Sequence, residues 1–163
     1  MTMMWGQGEL FALASKEEVQ RTKFLLEKYK SMMSLIQDFE KHQADLAQVA
    51  VDGEVARRID NEEYYANKTA NAVILMEKQK WVYEEYKFYT YMLRRAHAII
   101  EEHEEREAVE LRYFNGFSPQ KTYHHLRKLG WSERTIGRRI DSGIESMANS
   151  LKIMGFFERK SDF

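Results

Sequence analysis

Apolar residues recur at alternating three- and four-residue steps along two long stretches of the chain. The first stretch comprises Leu25, Tyr29, Met32, Ile36, Phe39, Gln43, Leu46 and Ala50, with Gln43 as its polar member. The second comprises Val82, Tyr86, Tyr89, Leu93, Ala96 and Ile100. This spacing places each set on one face of an α-helix, and its regularity is typical of a coiled coil. We therefore predict two long helices. The second would fold back antiparallel on the first and pack also against either the C-terminal region or a second copy of the chain.

Polar and glycine residues mark the ends of these helices. Ser15 and Glu18 have the spacing of a capping box, which predicts that the first long helix begins at Ser15. Asp52-Gly53 is expected to break that helix. Residues 54–71 are expected to form a connector with partial helix, and the second long helix follows it.

The C-terminal third predicts shorter helices separated by tight corners, at residues 104–115, at 119–128, and from 133 to a stop at Gly155. Gly116 can end the first of them, because glycine enters the left-handed backbone region at little cost. Ser118 and Pro119 are favourable residues at the start of a helix, and Ser132 can cap the last one. Two helices joined by a short turn with a glycine, here Gly130, have the outline of a helix-turn-helix.

The last of these helices has an apolar face and a charged face. The apolar face comprises Ile136, Ile140, Ile144, Met147 and Leu151. Glu133, Arg134 and Arg138 lie off that face near the start of the helix. They are our candidates for contacts with DNA bases, because this end of the second helix of a helix-turn-helix reaches base edges. Gly137 leaves the backbone uncovered between the two arginines.

A local excess of positive charge accompanies this face, although the whole chain has a formal net charge of −1. Between residues 121 and 139 the single acidic residue is Glu133. A phosphate backbone responds to such a local patch rather than to the total charge. Our candidate phosphate contacts are Lys121, His124, Arg127, Lys128, Ser132 and Arg139. The alternative interpretation of any single arginine is that it belongs to a charged, solvent-exposed helix face and does not contact DNA.

The same segment resembles a known family. The residues Arg112-Tyr-Phe-Asn-Gly-Phe-Ser118, followed by Leu129-Gly-Trp-Ser-Glu-Arg-Thr-Ile136 and Arg138-Arg139, are similar to sigma-70 region 4. They most resemble the region 4-like domains of the ArpU/RinA-type regulators of late genes in phages and prophages of Gram-positive bacteria. The resemblance implies a DNA-binding transcriptional activator that works with the host RNA polymerase.

The chain also departs from the sigma-factor pattern. The interval from Ser118 to Gly130 is about one turn longer than in a typical region 4, and Leu126 occupies a position where a small residue is usual. These differences count against a true reader of the promoter −35 element. They favour the phage activators, whose corresponding helix is similarly extended.

Composition favours a mostly helical protein. Together with the patterns above, we expect an all-α protein with long helices in residues 1–103, for dimerisation or docking, and a helix-turn-helix domain in residues 104–163. The chain of 163 residues contains one proline and no cysteine. The lack of cysteine excludes disulfides and thiolate chemistry and is compatible with a reducing cytoplasm. We expect no signal peptide and no membrane span. The expected protein is a cytoplasmic, nucleoid-associated homodimer.

Motifs for catalysis are missing from the sequence. His103-Glu104 begins like a zinc-protease motif but has no second histidine at the required spacing. We therefore expect no enzyme, no metal and no cofactor. The aromatic band at residues 81–91 is interpreted as core rather than as a platform for single-stranded nucleic acid. Two rivals to a regulator are a DNA-packaging adaptor of the small-terminase type and a protein-interaction module that binds no DNA.

Overall fold

The computed structural model describes residues 11–57 and 62–159, apart from the side chains of residues 46, 47 and 49–69. Throughout these ranges every regular element is helical, which confirms the predicted all-α fold. The α-helices are α1 (Lys16–Glu27), α2 (Tyr29–Arg57), α3 (Glu62–Ala98), α4 (His103–Val109), α5 (Pro119–Arg127) and α6 (Glu133–Ile153). A π-helical turn at Glu110–Phe114 follows α4, and a 3₁₀ turn at Phe156–Glu158 follows α6. None of these helices has an apolar stretch long enough to cross a membrane.

The chain divides into two compact units. One combines Met1–Lys30 with Tyr89–Phe163, and the other is Ser31–Phe88. The first unit therefore contains α1 and the end of α3 together with α4, α5 and α6. The predicted boundary after residue 103 separates these elements. As a division of function between 1–103 and 104–163, that boundary stays a prediction.

Helix α6 is the central helix of the first unit. It contacts α1, α4, α5 and the 3₁₀ turn. Its buried residues are Ile136, Ile140, Gly143, Ile144, Met147, Ala148 and Leu151. This set contains every residue of the predicted apolar face, so that prediction is confirmed. Burial on one side of α6 leaves the opposite side open to solvent.

Gly143 allows α4 and α6 to approach each other closely. A Cβ atom at this position would lie 2.6 Å from Val109 Cγ2 and 3.2 Å from the carbonyl oxygen of Glu105. Both distances are shorter than ordinary van der Waals contact, so a side chain here would push the helices apart. Val109 is itself completely buried. The closeness of the two helices therefore depends on a missing side chain.

The start of α1 is anchored to α6. The predicted capping box is present: the Ser15 amide donates to Glu18 Oε1 at 2.8 Å, and the Glu18 amide donates to Ser15 Oγ at 3.2 Å. Lys152 Nζ also donates to Glu18 Oε1 at 2.9 Å. The hydrogen bond from Ser15, together with the Lys152 ammonium, lowers the pKa of Glu18. This carboxylate thus joins the cap of one helix to the last turn of another.

Helices α2 and α3 lie side by side in the second unit. The Phe39 and Tyr83 rings meet edge to face at 6.5 Å, and the Tyr83 hydroxyl donates to Glu40 Oε1 at 2.9 Å. A groove of about 390 Å³ continues along both helices, with Gln43 and Met76 in its lining. Phe39 and Glu40 of α2 thus contact Tyr83 of α3, and the antiparallel pairing along the full length of the two helices stays a prediction. A coiled coil in the strict sense stays a prediction.

The first heptad pattern is only partly buried. Its members up to Ile36 are buried, Phe39 is half-buried, and Gln43 is exposed. The side chains of Leu46 and Ala50 lie outside the described residues. Gln43, the polar member of the first pattern, is therefore exposed to solvent and not buried between packed helices.

Three predictions about the bounds of the long helices are wrong. Asp52-Gly53 does not break the first helix, since α2 continues to Arg57, and α3 begins at Glu62 rather than after residue 71. A glycine inside a helix costs only about 1 kcal/mol relative to alanine, so a helix of 29 residues can contain one. The single helix predicted from Ser15 is instead interrupted at Lys28, where α1 ends and α2 follows at once.

The C-terminal helices lie close to their predicted positions. Gly116 and Gly155 have φ values of 72° and 78° and follow helical segments, as predicted. Ser118 Oγ accepts from the Lys121 amide at 3.1 Å, and Ser132 Oγ accepts from the Thr135 amide at 3.2 Å. The helix predicted at 104–115 differs in its last turn, which is π-helical: the Asn115 amide bonds to the carbonyl of Glu110 at 2.8 Å.

Replacing Gly143 with alanine should destabilise the protein. The added methyl group meets Val109 and the α4 backbone, so we expect a loss of about 1–3 kcal/mol in the free energy of unfolding, measured with urea. Gly137→Ala is the matched control, because a Cβ there has nothing within 4 Å. The control should leave stability unchanged or raise it by up to about 1 kcal/mol. Equal stability of the two variants would contradict the close α4–α6 packing.

Candidate nucleic-acid interface

Helices α5 and α6 are held together by a small set of buried residues. Thr122 and Leu126 of α5 and Ile136 of α6 are completely buried, and the two helices contact each other. Between them Gly130 has a φ of 89°, which lets the chain turn within a few residues. The outer faces of both helices are exposed. The helix-turn-helix interpretation of this pair stays a prediction.

The predicted base-reading residues share the exposed face of α6. Glu133, Arg134 and Arg138 are all exposed. No hydrogen bond or ion pair involves their side chains within the described part of the chain. A Cβ at Gly137 would have nothing within 4 Å, so the helix surface between the arginines is open. The structure thus brings these residues together on one accessible surface with their charges unpaired.

The charge on this exposed face changes from positive to negative along α6. Arg134 and Arg138 are followed, one and two turns later, by the exposed carboxylates Asp141 and Glu145. Residues four and seven apart lie on the same side of an α-helix. A polyanion would therefore be attracted to the first two turns of α6 and repelled by the next two. Only the N-terminal end of the helix has the charge that DNA contact requires.

The predicted phosphate contacts on α5 are also exposed. His124, Arg127 and Lys128 have no side-chain hydrogen bond or ion pair among the described residues. The ammonium nitrogen of Lys121 lies 4.2 Å from the centre of the Phe117 ring, which fixes its position without neutralising it. These side chains extend the positive surface of α6 across the neighbouring helix.

Ser132 and Arg139 already have partners within the protein. Ser132 Oγ caps α6 and donates to Thr135 Oγ1 at 2.8 Å. Arg139 Nη2 lies 2.7 Å from Glu104 Oε2, while its Nε is buried without a hydrogen-bond partner among the described residues. The charge of Arg139 is therefore balanced by α4. Contacts of both residues with phosphate stay predictions, and these two contribute least to the open positive surface.

A polar cluster around the buried His97 contacts the π-helical turn, with Arg94 at its exposed edge. His97 Nε2 donates to the Arg106 carbonyl at 2.9 Å, and the same nitrogen lies 3.4 Å from Glu110 Oε2. Arg94 Nε donates to the Tyr29 hydroxyl at 2.7 Å, and the guanidinium lies 4.4 Å from the centre of the Phe114 ring. Burial lowers the pKa of His97, partly offset by the Arg106 carbonyl and Glu110. The imidazole is therefore neutral in the folded protein near pH 7.

Two cations that sequence reasoning did not assign lie beside this surface. Lys30 is placed against Gly116, and Arg112 donates from Nη1 to the Phe117 carbonyl at 3.2 Å. Lys30 is distant in sequence from the C-terminal helices, so no local pattern points to it. In the described ranges, no three His, Asp or Glu side chains lie close enough to hold a metal ion. The absence of a metal and of catalysis remains a prediction.

Acidification should destabilise the protein through His97. Its pKa is lower in the folded chain than the unfolded value near 6.5, so the unfolded state takes up the proton first. The free energy of unfolding should fall as the pH drops below about 6.5. His97→Gln should show a smaller fall between pH 7.5 and 5.5 in urea titrations. His124→Gln, at an exposed site, should behave like the wild type, and equal pH dependence in all three proteins would contradict the account.

Comparison with known proteins gives no family for the chain. No protein-family model, curated protein or solved structure matches it. The resemblance to sigma-70 region 4 and to the ArpU/RinA-type regulators therefore stays a prediction from residues 112–139. The function is inferred from the chain's own charges and geometry.

Proposed function

We propose that the protein is a sequence-specific regulator of transcription that binds double-stranded DNA. The observation that carries this proposal is the exposed, unpaired positive charge on the first two turns of α6, continued by the cations of α5. Unpaired cations on adjacent helices attract a polyanion, and the strength of that attraction depends on salt. Burial of the apolar stripe of α6 keeps the opposite, positively charged face of the helix exposed to solvent.

In this proposal the start of α6 enters the major groove. Arg134 and Arg138 lie one turn apart, and each can donate two hydrogen bonds to O6 and N7 of a guanine. Glu133 can accept from the amino group of a cytosine. The open backbone at Gly137 permits close approach of the helix to the base edges. The carboxylates of Asp141 and Glu145 limit the contact to this end.

The α5 cations position the protein on the duplex. Lys121, His124, Arg127 and Lys128 would contact phosphates on either side of the groove, which fixes register without reading sequence. Ser132, whose side chain caps the start of α6, would contact a phosphate at that end of the helix. Arg139 contributes only where a phosphate competes with Glu104 for its guanidinium.

The remaining parts of the proposal rest on the resemblance and on exposed apolar residues. The resemblance supports activation of phage or prophage late genes together with host RNA polymerase in the bacterial cytoplasm. Leu35, Ile74 and Leu75 of the second unit are exposed. These side chains support a homodimer through α2 and α3, which would place two reading helices on one operator.

The base-reading claim is tested with duplexes selected from a random-sequence pool by the wild-type protein. Arg134→Ala/Arg138→Ala should lose the preference for the selected duplex over an unrelated one, at about 1–3 kcal/mol for each lost contact. Arg127→Ala should weaken binding to both duplexes alike and reduce the salt slope by about 1. Arg95→Ala removes an exposed arginine from α3 and should change neither quantity.

Four outcomes would contradict the proposal. A pool that shows no enrichment, or a preference unchanged in the Arg134→Ala/Arg138→Ala variant, would mean that α6 does not read sequence. A ring-sized oligomer in solution would instead favour a packaging adaptor. Absence of duplex binding at low salt would favour a protein-interaction module.

A further inference from the structure

A second positive surface surrounds the loop that connects the π-helical turn to α5. Lys30 lies directly on this loop: a Cβ at Gly116 would be 2.5 Å from Lys30 Cε and 3.1 Å from its Nζ. Arg112 Nη1 donates to the Phe117 carbonyl at 3.2 Å. Lys121 Nζ lies 4.2 Å from the centre of the Phe117 ring. Three cations from α2, the π turn and α5 therefore converge on one short loop, which we call the loop patch.

The loop patch borders a shallow groove. The groove has a volume of about 190 Å³, and its lining includes Lys30, Arg112 and Gly116 together with Leu26, Glu27 and Tyr113. Glu27 is the acidic residue of this lining. It forms no ion pair with either cation in the part of the chain that the structure describes. The groove thus carries a positive excess that its own carboxylate does not neutralise.

Neutral groups hold two of the three cations of the loop patch, Arg112 and Lys121, in place. Arg112 is oriented by a backbone carbonyl and by the Tyr113 ring, whose centre is 5.0 Å from its guanidinium carbon. Lys121 is oriented by an aromatic face, whereas the exposed side chain of Lys30 lies beside Gly116. Fixed cations without counter-charges repel one another at short range and bind an anion more strongly than mobile ones. A loop built in this way favours an anionic ligand.

The loop patch is continuous with the proposed DNA surface. Lys121 belongs to both, because it stands in the first turn of α5 and lies on Phe117 of the loop. The Phe117 ring also lies 6.1 Å from the His125 ring of α5. The loop patch therefore directly adjoins the α5 side of the proposed DNA surface.

We propose that the loop patch binds a backbone phosphate of the same duplex, beyond the base pairs that α6 contacts. This inference rests on the proposed function and extends it to Lys30 and Arg112. Lys30 belongs to the first turn of α2, so this contact would come from outside the C-terminal helices. A phosphate here adds affinity without adding sequence preference.

The test measures duplex affinity as a function of salt for Lys30→Gln and Arg112→Gln. Each variant should reduce the slope of log K against log salt concentration by about 1 and weaken selected and unrelated duplexes alike. Lys28→Gln is the matched control, because Lys28 lies on the Phe24 ring at 5.7 Å and outside the groove. Arg112→Lys retains a positive charge and should keep most of the slope. Urea unfolding of each variant separates lost charge from lost folding.

A backbone scan identifies the phosphate itself. Single phosphates flanking the selected site are replaced by neutral methylphosphonates. One position should weaken the wild type but leave Lys30→Gln unaffected, since that variant no longer makes the contact. If the wild type binds DNA but Lys30→Gln and Arg112→Gln match Lys28→Gln in slope, the loop patch proposal is overturned while the proposed function stands. If the wild type binds no duplex, the proposed function fails first.

Discussion

The close approach of α4 and α6 at Gly143 is the constraint on which the first unit depends. Without a side chain at this position, α6 lies against Val109 and the α4 backbone. The same helix then contacts α1, α5 and the 3₁₀ turn through one apolar stripe. Burial of that stripe fixes the rotation of α6 about its axis. The rotation in turn decides which residues remain outside.

The exposed face of α6 follows from this rotation. Arg134 and Arg138 lie opposite the stripe, and α5 adds its own cations next to them because Thr122 and Leu126 are buried against the rest of the unit. Arg139 points instead toward α4, where Glu104 neutralises it. Arg134 and Arg138 therefore remain exposed, whereas Arg139, the residue after Arg138, forms an ion pair with Glu104. The proposed DNA contact uses the two exposed arginines.

Much of this arrangement could be predicted from local patterns. Heptad spacing predicts the long helices, and Ser118, Ser132, Gly116 and Gly155 mark the helix ends because caps and left-handed turns depend on neighbouring residues. Asp52-Gly53 was misleading because the small cost of glycine is absorbed by a long helix. A glycine on the apolar face of α6 could have suggested close packing, but its partner Val109 requires tertiary structure.

The contacts that neutralise or assemble charge could not be predicted in this way. The Arg139–Glu104 pair and the convergence of Lys30 and Arg112 on one loop join residues far apart in the chain. The most direct measurement of the central claim is methylation interference on a selected duplex. The account predicts that methylation of guanine N7 in the major groove prevents binding, whereas methylation of adenine N3 in the minor groove does not. Interference confined to the minor groove, or none at all, would contradict base reading by α6.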